Sequence, residues 1–113
     1  MIERSLWVAT LRADKVEDYE RLHARLPAEI AAQLGDKGFV RLDIYRHGLA
    51  LFMTWEVDPG RAKAGRIVRE SAERAWDRLT GDCFAESWRQ VPLLFRLSDH
   101  LHKASQLEGQ GAD

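Results

Sequence analysis

The hydrophobic and polar positions of this chain follow two different periods. Residues 2–11, IERSLWVATL, alternate in polarity and therefore predict a β-strand. From residue 16 the apolar spacing changes to three and four, which predicts an amphipathic helix with one stripe facing a core. That stripe consists of Val16, Tyr19, Leu22, His23, Leu26, Ile30 and Leu34. Gly35 and Gly38 are expected to end the helix.

The second half of the chain predicts the same kinds of element. Two β-rich runs flank RHG at residues 46–48, so FVRLDIYRHGLALFMTWEVD at 39–58 predicts a hairpin whose glycine supplies the turn. Helical spacing returns after Pro59 and is expected to end near Gly81. Its apolar positions are Ile67, Val68, Ala72, Ala75, Trp76 and Leu79. VPLLFRL, at residues 91–97, predicts a short final strand.

The element order β-α-β-β-α-β is typical of the ferredoxin-like split-βαβ fold, an α+β class. Both helices then cover one face of a four-stranded antiparallel sheet. The other face must also be hidden, because it is expected to carry large side chains such as Trp7 or Tyr45. A second copy would hide them, which predicts a homodimer of the α+β barrel type. We predict a domain over residues 2–98 and a polar, frayed C-terminal tail over 99–113.

Composition narrows the classes of partner. The 113 residues carry a formal net charge of −1, which argues against nucleic acid or an anionic membrane surface as a partner. Cys83 is the only cysteine, so an intramolecular disulfide is impossible. The N-terminal segment lacks the apolar core of a signal peptide, and no apolar run approaches the roughly 20 residues of a membrane span. A cytoplasmic location is expected.

His23 is the first candidate for chemistry because it lies on the apolar stripe of the first predicted helix. It could be an ordinary core histidine whose ring nitrogens are satisfied by hydrogen bonds. It could equally be a general acid or base in a pocket between helix and sheet, since imidazole ordinarily titrates near pH 6.5.

Pro27, four residues after His23, interrupts the helical pattern. A proline there cannot donate to the carbonyl of His23, so the helix is expected to kink. Alternatively, the first helix ends near Arg25 and a second helix starts at Pro27, because proline is tolerated in a first turn. Either arrangement loosens the backbone beside His23.

Aromatic and histidine residues supply the remaining candidates. The chain has four tryptophans, and Trp76 lies on the stripe that would face the same side of the sheet as His23. An indole there could stack on the apolar face of a sugar ring, although core packing is the usual role of tryptophan. His100 and His102 form HLH, but no third ligand is evident nearby, so no metal site is predicted.

The spacing in YERLHARLPAE, residues 19–29, resembles that of the L-rhamnose mutarotase family. These are small dimeric ferredoxin-like enzymes whose first helix carries a tyrosine, a histidine four residues later, and then a proline and a glutamate. The resemblance covers about residues 2–97 and includes IY at 44–45, LF at 51–52 and TGD at 80–82. By position, His23 matches the family's catalytic proton donor, Tyr19 a substrate contact, and Trp76 the second member of a substrate-stacking tryptophan pair.

The chain also departs from the family pattern. Ala75 replaces the first member of the tryptophan pair, and Leu42 stands where the family has a substrate-contacting tyrosine. The aromatic before the family's proline and the asparagine-rich segment before the last strand have no counterpart. These losses remove a hydrogen bond and a stacking face, so they bear on which sugar is recognised more than on the reaction.

The resemblance implies a cofactor-free mutarotase that interconverts the anomers of a 6-deoxy hexose such as L-rhamnose, with His23 as the general acid. L-Fucose is the first alternative substrate. Two other classes stay open at this point: a haem-binding or monooxygenase member of the same barrel class with His23 as axial ligand, and a noncatalytic ligand-binding or assembly module in which His23 is a core residue.

Overall fold

A computed structural model describes residues 1–63 and 70–101, and their order of elements confirms the α+β, ferredoxin-like prediction. The strands are β1 (Glu3–Leu11), β2 (Phe39–His47), β3 (Ala50–Val57) and β4 (Phe84–Val91). The helices are α1 (Val16–Ala24), α2 (Ala28–Asp36) and α3 (Glu70–Gly81). Short 3-10 turns occupy Ala13–Lys15 and Pro59–Arg61. Residues 97–101 are also helical.

The four strands form one antiparallel sheet in the order β2-β3-β1-β4. The predicted hairpin of β2 and β3 turns at Gly48, whose φ of 60° is the left-handed conformation that glycine adopts at no steric cost. The helices cover one face of the sheet. There the core forms where α1 contributes Tyr19 against side chains of β1 and β3: Ala9, Leu11 and Leu51.

The junction between α2 and β2 requires a glycine. Gly38 has a φ of 96°, and a Cβ at this position would lie 2.4 Å from the carbonyl oxygen of Asp58. That close approach places the end of α2 against the end of β3, where the backbone N–H of Asp58 donates to the carbonyl of Gly38 over 2.8 Å.

Pro27 divides the first predicted helix in two. α1 ends at Ala24, and Pro27, with extended backbone angles, is the N-cap residue of α2. Of the two arrangements that the proline allowed, a restart is therefore the correct one and a kink in a continuous helix is wrong. The reason is that proline, lacking an N–H, fits at a helix start and not within one.

The prediction of a final strand at residues 91–97 is wrong, because β4 ends at Val91. Val91 pairs with Leu6, and the next residue, Pro92, has no N–H with which to continue the ladder. The apolar run beyond it is exposed: Leu93, Leu94 and Phe95. The true strand, FAESWRQV, has few apolar residues because one of its faces lies on the uncovered side of the sheet.

Trp7 lies on the helix-covered face, which corrects the prediction that it points to the other side. It pairs with buried Met53, and its ring centroid lies 5.1 Å from that of Trp55. Because strand side chains alternate, Trp7 shares its face with Ala9 and Leu11. The opposite face, called the open face below, carries Tyr45 as predicted. Its apolar side chains are Leu6, Val8, Tyr45 and Phe52.

Two predictions extend past the described part of the chain. Ile67 and Val68 of the second predicted helix lie outside it, as does most of the predicted tail, from residue 102 onward. The domain boundary at residue 98 stays a prediction. Within residues 1–63 and 70–101, no helix combines the length and apolarity needed to span a bilayer.

Candidate active site

A cavity of about 460 Å³ lies between the helices and the covered face of the sheet. It is called the helix–sheet cavity below. Its walls bring together all three residues predicted for the site: Tyr19 and His23 from α1 and Trp76 from α3. The sheet contributes a mainly apolar floor: Leu42, Ile44, Met53, Phe84, Ser87 and Trp88. Its volume falls within the range of about 300–1,000 Å³ that is usual for small-molecule sites.

The imidazole of His23 is half-buried and anchored through one nitrogen. Its Nδ1 lies 3.0 Å from the carbonyl oxygen of Tyr19, one helical turn earlier. A carbonyl can only accept, so Nδ1 must carry the proton and donate it. In the neutral ring Nε2 then holds the lone pair, and in the imidazolium Nε2 carries a proton of its own. Nδ1 is thus bonded to the backbone, while Nε2 makes no hydrogen bond among the described residues.

Aromatic rings hold this imidazole in place. Its centroid lies 4.3 Å from the ring of Tyr19 and 5.1 Å from that of Trp76, the latter in an edge-to-face arrangement. Tyr19 also contacts Phe84 at 5.6 Å, and Phe84 contacts Trp88 at 5.7 Å. These rings form a continuous aromatic wall that restricts His23 and offers flat apolar surface to a ligand.

Tyr19 is almost fully buried, with 4% of its surface exposed. Burial raises the pKa of Tyr19 well above its ordinary value, because the phenolate would lose its hydration in the core, and neighbouring Cys83 adds to this effect. The hydroxyl therefore stays protonated at neutral pH. Tyr19 can orient groups by hydrogen bonding, but it cannot serve as a base there.

The two positions that depart from the family pattern differ in location. Leu42 lines the helix–sheet cavity, so the exchange of a tyrosine for a leucine alters its floor directly. Ala75 is exposed and is not among the cavity residues. Trp76, the retained member of the pair, is half-buried and forms part of the wall.

Several polar residues of the cavity were missed from the sequence. Gln33 is 6% exposed and lies at the cavity's α2 side. α3 contributes Glu73, Asp77 and Thr80 together with Trp76, a spacing of three and four that identifies one helix face. That spacing was visible, but it includes charged residues that look like an ordinary solvated surface. Lys37 joins the rim through a 2.7 Å ion pair with Glu73.

The HLH segment lies at the end of the described part of the chain. His100 stacks on Phe95 at 4.9 Å, whereas His102 lies outside the described residues. Among residues 1–63 and 70–101, no three His, Cys, Asp or Glu side chains converge in a way that could hold a metal ion.

A ferredoxin-like sheet with one anchored imidazole in an aromatic-walled cavity places the chain in the class of small α+β domains with a candidate small-molecule site between helices and sheet. Comparison with known proteins gives the family. A family model described as L-rhamnose mutarotase matches residues 4–103, and the chain belongs to that family. The prediction of an isomerase of the mutarotase type is thereby confirmed, in preference to a haem protein or a noncatalytic module.

Two relatives bear on the details. An L-fucose mutarotase of Xanthomonas campestris pv. campestris is 31% identical over 114 residues, which cover 87% of this chain and 90% of that protein. The crystal structure of L-rhamnose mutarotase FA22100 from Formosa agariphila superposes with a TM-score of 0.66 at 18% identity, covering 83% of this chain and 97% of that one. This likeness supports the fold.

Proposed function

We propose that the protein interconverts the α and β anomers of a 6-deoxy hexose by acid–base ring opening, with His23 as the proton donor. The observation that carries the proposal is the bond between His23 Nδ1 and the carbonyl of Tyr19. It fixes the ring in one orientation and leaves Nε2 to act on a ligand in the helix–sheet cavity. Positioning of this kind is a large part of what an enzyme contributes to proton transfer.

The reaction needs two coordinated proton movements. The imidazolium of His23 donates the Nε2 proton to the ring oxygen as the bond from C1 to that oxygen breaks, and the anomeric hydroxyl loses its proton as the C1 aldehyde forms. Rotation about the C1–C2 bond presents the other face of the aldehyde. Reversal of the same steps closes the ring as the opposite anomer, so no redox change and no cofactor enter the balance.

The lining of the cavity supports a sugar with one apolar end. Trp76 offers an indole to the C–H face of a pyranose, as tryptophan does in many sugar sites. Leu42, Ile44 and Met53 form an apolar floor against which a C6 methyl group can pack. A 6-hydroxyl at that point would lose its hydration without a partner, which costs on the order of 1–3 kcal/mol.

L-Rhamnose is the first substrate to test, in keeping with the family. L-Fucose is the second candidate, and two observations favour it: the 31% identical relative is named an L-fucose mutarotase, and Leu42 replaces the tyrosine of the family's second strand. Loss of that hydroxyl changes which sugar hydroxyl can be recognised on the floor of the cavity.

Saturation-transfer NMR between anomers tests the proposal directly. The panel pairs L-rhamnose with L-mannose, and L-fucose with L-galactose, because each pair differs only in the 6-hydroxyl. We expect exchange of at least one 6-deoxy sugar to rise with protein concentration, and its 6-hydroxy counterpart to exchange about 10-fold or more slower. Exchange at the uncatalysed rate for both 6-deoxy sugars would disprove the function.

We also propose that the protein is a homodimer that pairs through its open face. Tyr45 and Phe52 are 56% and 37% exposed and lie opposite each other across β2 and β3. Val8 extends this row onto β1. A cavity of about 690 Å³ adjoins the open face. Its lining includes Leu6 and Thr54 of the sheet and the residues that follow β4: Leu93, Leu94 and Phe95. Apolar surface of this extent on a sheet is typical of an association site.

Sedimentation velocity tests the assembly. We expect a single species of twice the chain mass at micromolar concentration, and a species of the chain mass under the same conditions would disprove the dimer. The cytoplasmic location stays a prediction that fractionation of the source cells can check.

A further inference from the structure

Among the residues that the structure describes, two carboxylates line the helix–sheet cavity, both on α3. Glu73 is held in a 2.7 Å ion pair with Lys37 at the rim. Asp77, one turn further along the helix, has no ion pair or hydrogen bond to its carboxylate from the residues that the structure describes. The Thr80 hydroxyl donates to the backbone carbonyl of Asp77 at 3.5 Å, a bond that does not involve the Asp77 carboxylate.

Asp77 directly follows Trp76, whose indole contacts the imidazole of His23 with centroids 5.1 Å apart. α1 and α3 therefore line the same cavity, α1 with an imidazole and α3 with the exposed carboxylate of Asp77. A ring opening requires one group to supply a proton and another to remove one. His23 can fill only one of these roles at a time.

We propose that Asp77 is the general base that removes the proton from the anomeric hydroxyl. The proposal rests on the mutarotase function of the same cavity. As the bond from C1 to the ring oxygen breaks, His23 Nε2 gives its proton to that oxygen and the Asp77 carboxylate takes the O1 proton. The C1 aldehyde forms, His23 becomes neutral and Asp77 becomes protonated. Ring closure on the other face returns both protons, so the enzyme is regenerated.

The charges around the pair support this division of roles. Titratable or charged groups of the cavity come from three elements: Tyr19 and His23 of α1, Lys37 after α2, and Glu73 and Asp77 of α3. The described strands add none. Because Lys37 pairs with Glu73 and the buried Tyr19 phenol is a poor base, Asp77 is the carboxylate of the described lining that remains to accept a proton.

The test compares three carboxylate-to-amide variants by anomer-exchange NMR on the sugar that the wild type accelerates. Asp77→Asn is expected to lower kcat by about 10²–10⁴-fold, the usual contribution of one acid or base, with KM changed less than about threefold. Asp82→Asn is the matched control, since Asp82 follows α3 but pairs with Lys15 away from this cavity. It should keep the wild-type rate.

Two further variants separate proton transfer from charge. Asp77→Glu keeps a carboxylate and is expected to recover at least 10-fold over Asp77→Asn. Glu73→Gln removes the other negative charge of the cavity and should cost less than about 10-fold.

Distinct results would overturn the inference. A wild-type rate in Asp77→Asn, with His23→Ala inactive, removes Asp77 from the reaction and leaves the proposed function intact. If Glu73→Gln and Asp77→Asn lower kcat equally, the loss is due to the negative charge of the cavity and Asp77 is not the proton acceptor. No acceleration by the wild type rejects the proposed function itself. Each comparison requires that the Asp77→Asn protein is folded, which an unchanged amide NMR spectrum shows. If the Asp77→Asn protein does not fold, Asp77→Glu is used for the same test.

Discussion

The two faces of the sheet differ in what covers them and in how they treat the same kinds of side chain. On the covered face, Leu11 and Leu51 are essentially inaccessible and aromatic rings surround a cavity. On the open face, Tyr45 and Phe52 meet solvent in the single chain. The helices thus create both the dry core and the helix–sheet cavity that holds His23. The proposed reaction and the proposed dimer contact therefore lie on opposite faces of the sheet.

The largest expected effect comes from replacing His23 on the covered side of the sheet. His23→Ala should lower the anomer-exchange rate by about 10²–10⁴-fold, because it removes the proposed proton donor and the ring that contacts Tyr19 and Trp76. His47→Ala, at the exposed end of β2, is the matched control and should leave the rate unchanged. Saturation-transfer NMR measures both, and an active His23→Ala enzyme would contradict the assignment.

The next largest effect is on stability, where a buried leucine is compared with an exposed one. Leu51→Ala should lower the free energy of unfolding by about 2–5 kcal/mol, because Leu51 is 1% exposed and its truncation leaves a void. Leu79→Ala, at a residue of α3 that is 54% exposed and lies away from the open face, should change it by less than about 1 kcal/mol. Chemical denaturation monitored by tryptophan fluorescence compares the two. Similar losses at both sites would mean that Leu79 is buried in solution.

The open face can be tested without disturbing the cavity. Phe52→Ser should weaken self-association by about 10-fold or more, because it removes a large apolar side chain from the centre of the Tyr45–Phe52–Val8 row. Leu49→Ser, at the exposed hairpin turn, should have no such effect. Sedimentation equilibrium gives both dissociation constants, and an unchanged constant for Phe52→Ser would exclude this face as the interface.

The smallest effect concerns the buried phenol of Tyr19. Burial raises its pKa in the folded chain, so ionisation in the unfolded chain, which begins near pH 10, draws the equilibrium toward unfolding. The associated stability is therefore complete below pH 10 and is lost as pH rises, by at most about 1.4 kcal/mol per unit. Tyr19→Phe should show a shallower decline above pH 10 in denaturation measured against pH. An identical decline would mean that other groups cause it.

The periodicity of apolar residues predicted which helix residues face the sheet better than it predicted which strand residues lie on the open face. The helix stripe placed Tyr19 and His23 on the side that faces the sheet, and the RHG turn placed the β2–β3 hairpin, because both signals are local. Trp7 was assigned to the wrong face since alternation identifies two sets of residues and does not say which set the helices will cover. The final strand was predicted at residues 91–97 because that run is apolar, although Pro92 within it has no N–H to donate to a neighbouring strand.

The candidate site was only partly predictable for a related reason. His23, Tyr19 and Trp76 stood out as polar or aromatic residues on apolar stripes. Asp77 and Gln33 gave no such signal, because a charged residue on a helix is usually solvated and an amide is common on surfaces. Their inclusion depends on how α2 and α3 meet the sheet, which is a property of tertiary packing.

The hydrogen bond from His23 to the Tyr19 carbonyl has a consequence for how this enzyme can diverge. Its acceptor is a main-chain atom, so any residue at position 19 that preserves the helix supplies it. Many other enzymes orient their imidazole with a carboxylate side chain, which mutation can remove. Here the floor and rim of the cavity, including Leu42, are free to vary while the imidazole keeps its orientation. Under the proposed function, single substitutions in the cavity lining can therefore change which sugar is bound without changing the orientation of His23.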